Sequence, residues 1–145
     1  MFLGTYLVSV TSGKRVVVPS VFRENLGQTL ILAKWYEECL VMVSESSLNT
    51  LLTRVTGGDK MIINPIRQTE HFIFASAYQV IPDDQGRIVI PDRLVDYAKL
   101  TDQVYFLGIG DRVEIWNKDI WDEKEKLIAK EAPGYIEELA KRNGK

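Results

Sequence analysis

The chain contains one pattern twice. The segment Tyr6-Leu-Val-Ser-Val-Thr-Ser-Gly-Lys-Arg-Val-Val-Val-Pro19 recurs as Tyr78-Gln-Val-Ile-Pro-Asp-Asp-Gln-Gly-Arg-Ile-Val-Ile-Pro91, so that Tyr6, Arg15 and Pro19 each reappear 72 residues later. Both copies read as a strand, a polar turn, a β-branched strand and a proline. Such a unit has short strands and one short helix, and it buries little apolar surface alone. Two copies that cover each other's apolar faces and sheet edges solve that problem, and closure into a small barrel is the expected outcome. The chain therefore divides at the repeat into residues 1–63, a first unit with its helix, and residues 64–145, a linking helix, a second unit and C-terminal helices.

The local signals repeat in the same order. In the first half, strands are expected over 5–10 and 16–18, and Ser20 is expected to cap a helix over 21–26 that Gly27 stops. Strands over 30–33 and 39–43 flank a turn at 35–38. Ser44 then opens a helix carried by Leu48, Leu51, Leu52 and Val55 and ended by Gly57 and Gly58. In the second half, Asn64-Pro65 opens a helix to about residue 75. Strands over 78–81 and 88–90 flank the turn 83–87, and Asp92 caps a helix to about residue 98. A hairpin follows, with strands over 104–107 and 113–116 around 108–111. Asn117 caps a long helix with Asp119 in its first turn. Pro133-Gly134 is expected to break that helix, which resumes over 135–141.

Composition narrows the function classes. With 46% hydrophobic and 26% charged residues over 145 positions, the chain is an ordinary globular one. No apolar run approaches the roughly 20 residues that span a bilayer, and the segment 1–6 has neither the basic nor the apolar region of a signal peptide. The one cysteine, Cys39, cannot form an internal disulfide, and a reducing, cytoplasmic setting is the expectation. The net charge is −2, unevenly spread. Residues 1–72 hold seven Lys/Arg against six Asp/Glu, and residues 73–145 hold eleven against fourteen. A basic shell is excluded, but a small basic patch is not.

No catalytic or metal constellation is visible. His71 has no partner at ligand spacing, and Cys39 lies in an apolar run as a buried small hydrophobe would. Adjacent turn carboxylates such as Asp83 and Asp84 point apart rather than forming an acid/base pair. Gly57-Gly58-Asp-Lys60 shares only glycines with a phosphate loop, and Trp116, Trp121 and Tyr135 read as packing of the last helix on the body. Neither an enzyme activity nor a cofactor or metal is expected. A turn that presents an arginine twice, at Arg15 and Arg87, instead suggests a surface for something repetitive and anionic.

The opening Met-Phe-Leu-Gly-Thr-Tyr, the element Asp83-Asp-Gln-Gly-Arg-Ile-Val-Ile-Pro91 and the stretch Val113-Glu-Ile-Trp-Asn-Lys118 resemble the MraZ family of bacterial transcriptional regulators, within the SpoVT/AbrB-like group, along essentially the whole chain. The resemblance implies an α+β fold, a small β-barrel from two tandem AbrB-like swapped-hairpin (double-ψ-like) units with flanking helices. It also implies a cytoplasmic, nucleoid-associated, ring-like homo-oligomer. The partner it implies is double-stranded DNA, with G-rich direct repeats upstream of the division and cell wall gene cluster bound and transcription repressed.

The family's DNA-binding element is an aspartate, three residues and an arginine, once per half. Asp83 to Arg87 matches it, with Gly86 before the arginine. In the first half Thr11 replaces the aspartate, Lys14 stands before Arg15, and the glycine has moved to Gly13. Arg15 and Arg87 are the candidates for base-edge readout, because the planar guanidinium fork matches the O6/N7 edge of guanine or a phosphate. Asp83 is expected to orient Arg87, and Thr11 to hold Arg15 less firmly. Lys14 is expected as a phosphate contact, Gly86 and Gly13 as points of close backbone approach, Ser12 and Gln85 as neutral hydrogen-bonding groups, and Arg23 as a further phosphate contact. Two alternatives remain open: an oligomeric scaffold that has lost DNA recognition, and an AbrB-type antitoxin that also binds a toxin.

Overall fold

The computed structural model describes residues 1–58 and 63–144, and among these residues two sheets and five α-helices make up an α+β fold. The first half runs β1 (Phe2–Ser9), β2 (Arg15–Val17), α1 (Ser20–Leu26), β3 (Leu30–Trp35), β4 (Cys39–Ser44), a 3-10 turn (Glu45–Ser47) and α2 (Leu48–Thr56). The second runs α3 (Asn64–Phe74), β5 (Tyr78–Val80), β6 (Arg87–Val89), α4 (Asp92–Ala98), β7 (Gln103–Gly110), β8 (Val113–Asn117) and α5 (Lys118–Asn143). The larger sheet has the order β1-β7-β8-β4-β3-β5, all antiparallel, and β2 and β6 form a separate two-stranded ribbon. Strands from the two halves thus lie beside one another in both sheets: β1 on β7, β4 on β8, β3 on β5, and β2 on β6.

Side-chain alternation separates two cores. Successive residues of a strand point to opposite faces. Leu30, Leu32, Leu40, Met42, Val104, Phe106, Val113 and Ile115 therefore face one way and pack with Val16, Val18, Ile88 and Ile90 of the ribbon segments and with Phe22, Leu26, Leu94 and Ala98 of α1 and α4. Their neighbours Ile31, Ala33, Trp35, Cys39, Val41, Val43 and Trp116 face the other way, under Leu51 of α2 and Ile73 of α3. The centre of the large sheet is buried on both faces, which is why β3 and β4 read as continuous apolar runs. Cys39 lies in the second core, and burial pushes its thiol well above the ordinary range, as expected of an unreactive packing residue.

Several local expectations are corrected. Ser20 and Asp92 are the first helical residues rather than caps. Pro19 and Pro91 hold the N-cap position with ψ of 134° and 144°, and their carbonyls accept the N–H groups of Phe22 and Arg23, and of Leu94 and Val95. Ser44 precedes the 3-10 turn without capping it; its hydroxyl donates to that of Ser47 at 2.8 Å. Strands β1 and β7 are each eight residues long, because they pair along their whole length, Phe2 opposite Gly110 through Ser9 opposite Gln103. That pairing needs Gly108, since a Cβ there would overlap the backbone of Phe2 and Leu3.

Helix α5 is one continuous element through Pro133, not two. A proline interrupts one backbone hydrogen bond and costs about 3 kcal/mol relative to alanine. The surrounding Glu, Lys, Leu and Ala are strong helix formers, and the exposed carbonyl that loses its partner is solvated instead. Asn117 caps this helix as expected. Its Oδ1 accepts from Ile120 N at 3.0 Å while its Nδ2 donates to the Lys99 carbonyl, tying α5 to the end of α4. Trp116 and Trp121 pack against each other at 5.1 Å between ring centroids, but Tyr135 is exposed, so only the first part of the helix is held by aromatic packing. Among the described residues no helix is long and apolar enough to cross a membrane.

Two substitutions test these assignments. Gly108→Ala is expected to cost about 1–3 kcal/mol in urea denaturation and to speed amide exchange along β1, because the added methyl has backbone in its way. Pro133→Ala is expected to stabilise the helix there by up to about 3 kcal/mol, seen as slower amide exchange on both sides of position 133.

Candidate nucleic-acid interface

The two arginine turns are joined by the ribbon they introduce. In it Arg15 lies opposite Val89, Val16 opposite Ile88 and Val17 opposite Arg87. Val16 and Ile88 point into the core, so Arg15, Val17, Arg87 and Val89 share the outward face, and all four are exposed. Arg15 and Arg87 are diagonal neighbours there, with a typical Cα separation of roughly 7–8 Å. The ribbon extends by one hydrogen bond at each end: Val18 N–H donates to the Gly86 carbonyl and Ile90 N–H to the Lys14 carbonyl, both at 2.9 Å. These two bonds are equivalent under the 72-residue repeat. Sequence alone showed two arginines 72 residues apart; the pairing sets them side by side on one strip.

The second turn is braced by a carboxylate. Asp83 Oδ1 accepts the backbone N–H groups of Gln85 and Arg87 at 2.9 Å each, and Asp83 Oδ2 accepts from Arg87 Nε at 2.7 Å. These bonds, led by the one from the Arg87 N–H, hold the Asp83 carboxyl below the ordinary aspartate range. Because Asp83 uses Nε, the two terminal nitrogens of Arg87 stay available for an outside acceptor. A further bond, from Gly86 N–H to the Asp83 carbonyl at 2.9 Å, closes the turn, and Gly86 takes the positive φ (79°) that follows it.

The first turn closes on the same backbone frame with different chemistry. Thr11 N–H donates to the Arg15 carbonyl at 2.9 Å, as Asp83 N–H does to Arg87 at 3.0 Å. The Thr11 hydroxyl also donates to the Arg15 carbonyl, at 3.3 Å, and so fastens the backbone rather than the guanidinium. No hydrogen bond or ion pair reaches the Arg15 guanidinium from any described residue. Gly13 and Lys14 both have positive φ, 79° and 59°. The Lys14 ammonium is paired with Asp92 at 2.6 Å, which raises its pKa above the ordinary lysine value.

The remaining predicted residues fall in two groups. Ser12 and Gln85 are exposed at the turn tips, next to the arginines. Gly86 is withdrawn from the surface and Arg23 is half-buried. Gly86 is buried, with its Cα facing the Arg23 guanidinium, and Arg23 Nε is buried without a partner among the described residues. Sequence reasoning missed Asp92 as the Lys14 partner and the exposed Val17 and Val89 between the arginines. The period-two pattern of the strands carried a signal for the valines; nothing local carried one for Asp92, which is 78 positions from Lys14.

Chemically, the strip offers one braced and one unbraced guanidinium on a two-stranded ribbon, with apolar methyls between them. A ribbon of this width enters a B-DNA major groove, where guanidinium forks match guanine edges and apolar groups match thymine methyls. No group of three or more His, Cys, Asp or Glu side chains placed to hold a metal occurs among the described residues.

The brace has a pH signature. A carboxyl held below its ordinary value stabilises the fold above about pH 4, and that contribution is lost as pH falls through the lowered value. Arg87→Ala keeps the backbone donor and removes the side-chain one. The Asp83 titration followed by carboxyl NMR is therefore expected to move part of the way back toward the ordinary aspartate value, while Arg15→Ala leaves it in place.

Residues 73–138 match the family described as "MraZ protein, putative antitoxin-like". A "Transcriptional regulator MraZ" of Acetivibrio thermocellus is 42% identical over 125 residues, covering 84% of this chain and 85% of that protein. Its counterpart in Bifidobacterium longum is 33% identical over 138 residues, covering 93% and 87%. That of Dictyoglomus turgidum is 35% identical over 147 residues, covering 98% and 100%. With relatives this similar along nearly its whole length, the chain belongs to the MraZ family of transcriptional regulators.

Proposed function

We propose that the protein is a sequence-specific DNA-binding regulator that represses the division and cell wall gene cluster by engaging G-rich direct repeats as a ring-like homo-oligomer. The observation that carries this reading is the outward strip of the ribbon, on which Arg15 and Arg87 stand as diagonal neighbours. Arg87, held by Asp83, reads a guanine edge. Arg15 reads a second base or a phosphate with a freer side chain, and Ser12 and Gln85 add neutral contacts to the backbone. Lys14 reaches a phosphate by exchanging its Asp92 partner. On this reading the fold is a small swapped-hairpin barrel of two tandem AbrB-like units, residues 1–63 and 64–145, supported by the pairing of strands from both halves in each sheet. The site of action is the nucleoid, in the cytoplasm.

Few cations serve each subunit, and the chain as a whole carries −2. Each phosphate neutralised contributes about 0.9 to the salt slope, so one subunit binds weakly. Several subunits on consecutive repeats gain about 10²–10⁴-fold in avidity without new contacts. Ring assembly and a direct-repeat operator therefore belong to one mechanism, and dissociated subunits are expected to bind poorly.

The test is binding to the DNA upstream of its own gene across a salt series. Wild type is expected to bind tightly and with strong salt dependence, and both Arg15→Ala and Arg87→Ala to lose about 1–3 kcal/mol or more per subunit site. Loss with Arg87→Ala alone would restrict reading to the second turn. An intact oligomer that shows no sequence preference would defeat the proposal in favour of a scaffold.

A further inference from the structure

Arg23 and Gly86 come from different halves of the chain and occupy one another's space. Gly86 is buried, and a Cβ built on it would overlap the Nη1, Cζ and Nε atoms of Arg23. The guanidinium thus lies directly against Gly86, at the point where the chain passes from Asp83 to Arg87. Arg23 itself leaves helix α1 one turn after Pro19 and, with Gly27 and Gln28, faces Ile81 and Pro82 across a groove of about 300 Å³. The turn therefore meets this side chain at Gly86, the residue before Arg87.

Three observations separate this arrangement from a phosphate contact. Arg23 Nε is buried, so its donor faces the protein rather than a backbone running past outside. No described residue accepts a hydrogen bond from it, so shape rather than pairing accounts for its position. The equivalent place in the other half is also compensated. There the glycine is replaced by Lys14 and, by the 72-residue offset, the arginine by Val95. The two backbone bonds that anchor these positions, Gly86 to Val18 and Lys14 to Ile90, have the same length, 2.9 Å. Where a guanidinium fills the space the turn has no Cβ, and where a valine stands a residue with a Cβ is accommodated.

We propose that Arg23 is a positioning residue for the Asp83–Arg87 turn, a flat support from the first half that sets the height and direction of Arg87 in the second. The inference rests on the reading of that turn as a DNA contact only for its functional consequence; the support itself is a property of the free protein. Gly86 is then needed for two independent reasons, its positive φ and the space taken by Arg23. Lysine cannot replace Arg23, because an ammonium on a flexible stem keeps the charge but loses the planar surface.

The experiment uses the full chain with Arg23→Ala, Arg23→Lys, Gly86→Ala and the double variant Arg23→Ala/Gly86→Ala. In the free protein, both Arg23 variants are expected to move the Asp83 carboxyl titration toward the ordinary aspartate value. The unfolding penalty of Gly86→Ala is expected to shrink at least about fivefold, as an equilibrium constant, once Arg23 is gone. On the upstream duplex, both Arg23 variants are expected to weaken binding roughly five- to a hundredfold, the share of one bidentate base contact, with the salt slope unchanged. An unmoved Asp83 titration in Arg23→Lys, together with independent Arg23 and Gly86 penalties, would overturn the support. So would a salt slope that drops by about 0.9 in Arg23→Ala and is restored in Arg23→Lys, the behaviour of a phosphate contact. If wild type does not bind the duplex, the DNA reading fails, and the titration and double-variant results still decide the support.

Discussion

The pairing of β2 with β6 holds the rest of the molecule in place. Each strand is three residues long, too short to be stable alone, and each comes from a different half of the chain. Val16 and Ile88 face each other and point inward, and Val18 and Ile90 follow them into the same core. The prolines that end the two segments then turn the chain into α1 and α4, whose Phe22, Leu26, Leu94 and Ala98 complete that core. Separating the halves would expose this cluster and break the pairs β1–β7, β4–β8 and β3–β5 as well. The interleaving makes the two repeats one cooperative unit, and it makes the outward strip of the ribbon a rigid element.

The repeats share a backbone but not an electrostatic design. The second turn uses a carboxylate to hold its arginine: Asp83 accepts two hydrogen bonds from Arg87 and one from the Gln85 N–H, at 2.9 Å or less. The first turn fastens only its backbone through Thr11, and places an ammonium against Asp92 across the ribbon. One guanidinium is preorganised and the other is free to adapt. A preorganised fork loses less entropy when it meets an acceptor, and an adaptable one tolerates variation in what it meets. Arg23 beside Gly86 adds to this asymmetry: the second turn meets a guanidinium from the other half where the first meets the carboxylate of Asp92.

Much of the secondary structure was legible. The β-branched runs, the glycine stop at Gly57 and the Asn117 cap all appear where their local chemistry put them, because each depends on residues within one turn or strand. The misreadings also have local causes. Pro133 reads as a break because proline forfeits a hydrogen bond, yet its neighbours favour helix strongly enough to carry the element through. Ser20 and Asp92 read as caps because of their side chains, whereas the carbonyls of Pro19 and Pro91 already meet the first helical N–H groups. The full length of β7 was hidden, because Gly108 and Gly110 look like turn signals until β1 is seen to pair along the whole strand and to need close approach at Gly108.

From residue order alone followed the 72-residue repeat, the alternation that sorts inward from outward side chains, and the two arginine turns with their unequal brackets. These are consequences of covalent geometry and of interactions spanning a few residues. Tertiary structure was needed for everything that joins positions far apart: β2 against β6, Arg15 beside Arg87 on one face, Lys14 on Asp92, and Arg23 under Gly86. A repeat offset says that two segments are alike, but not that they touch. Burial decides that, because apolar faces too small to form a core separately are stable only when each covers the other.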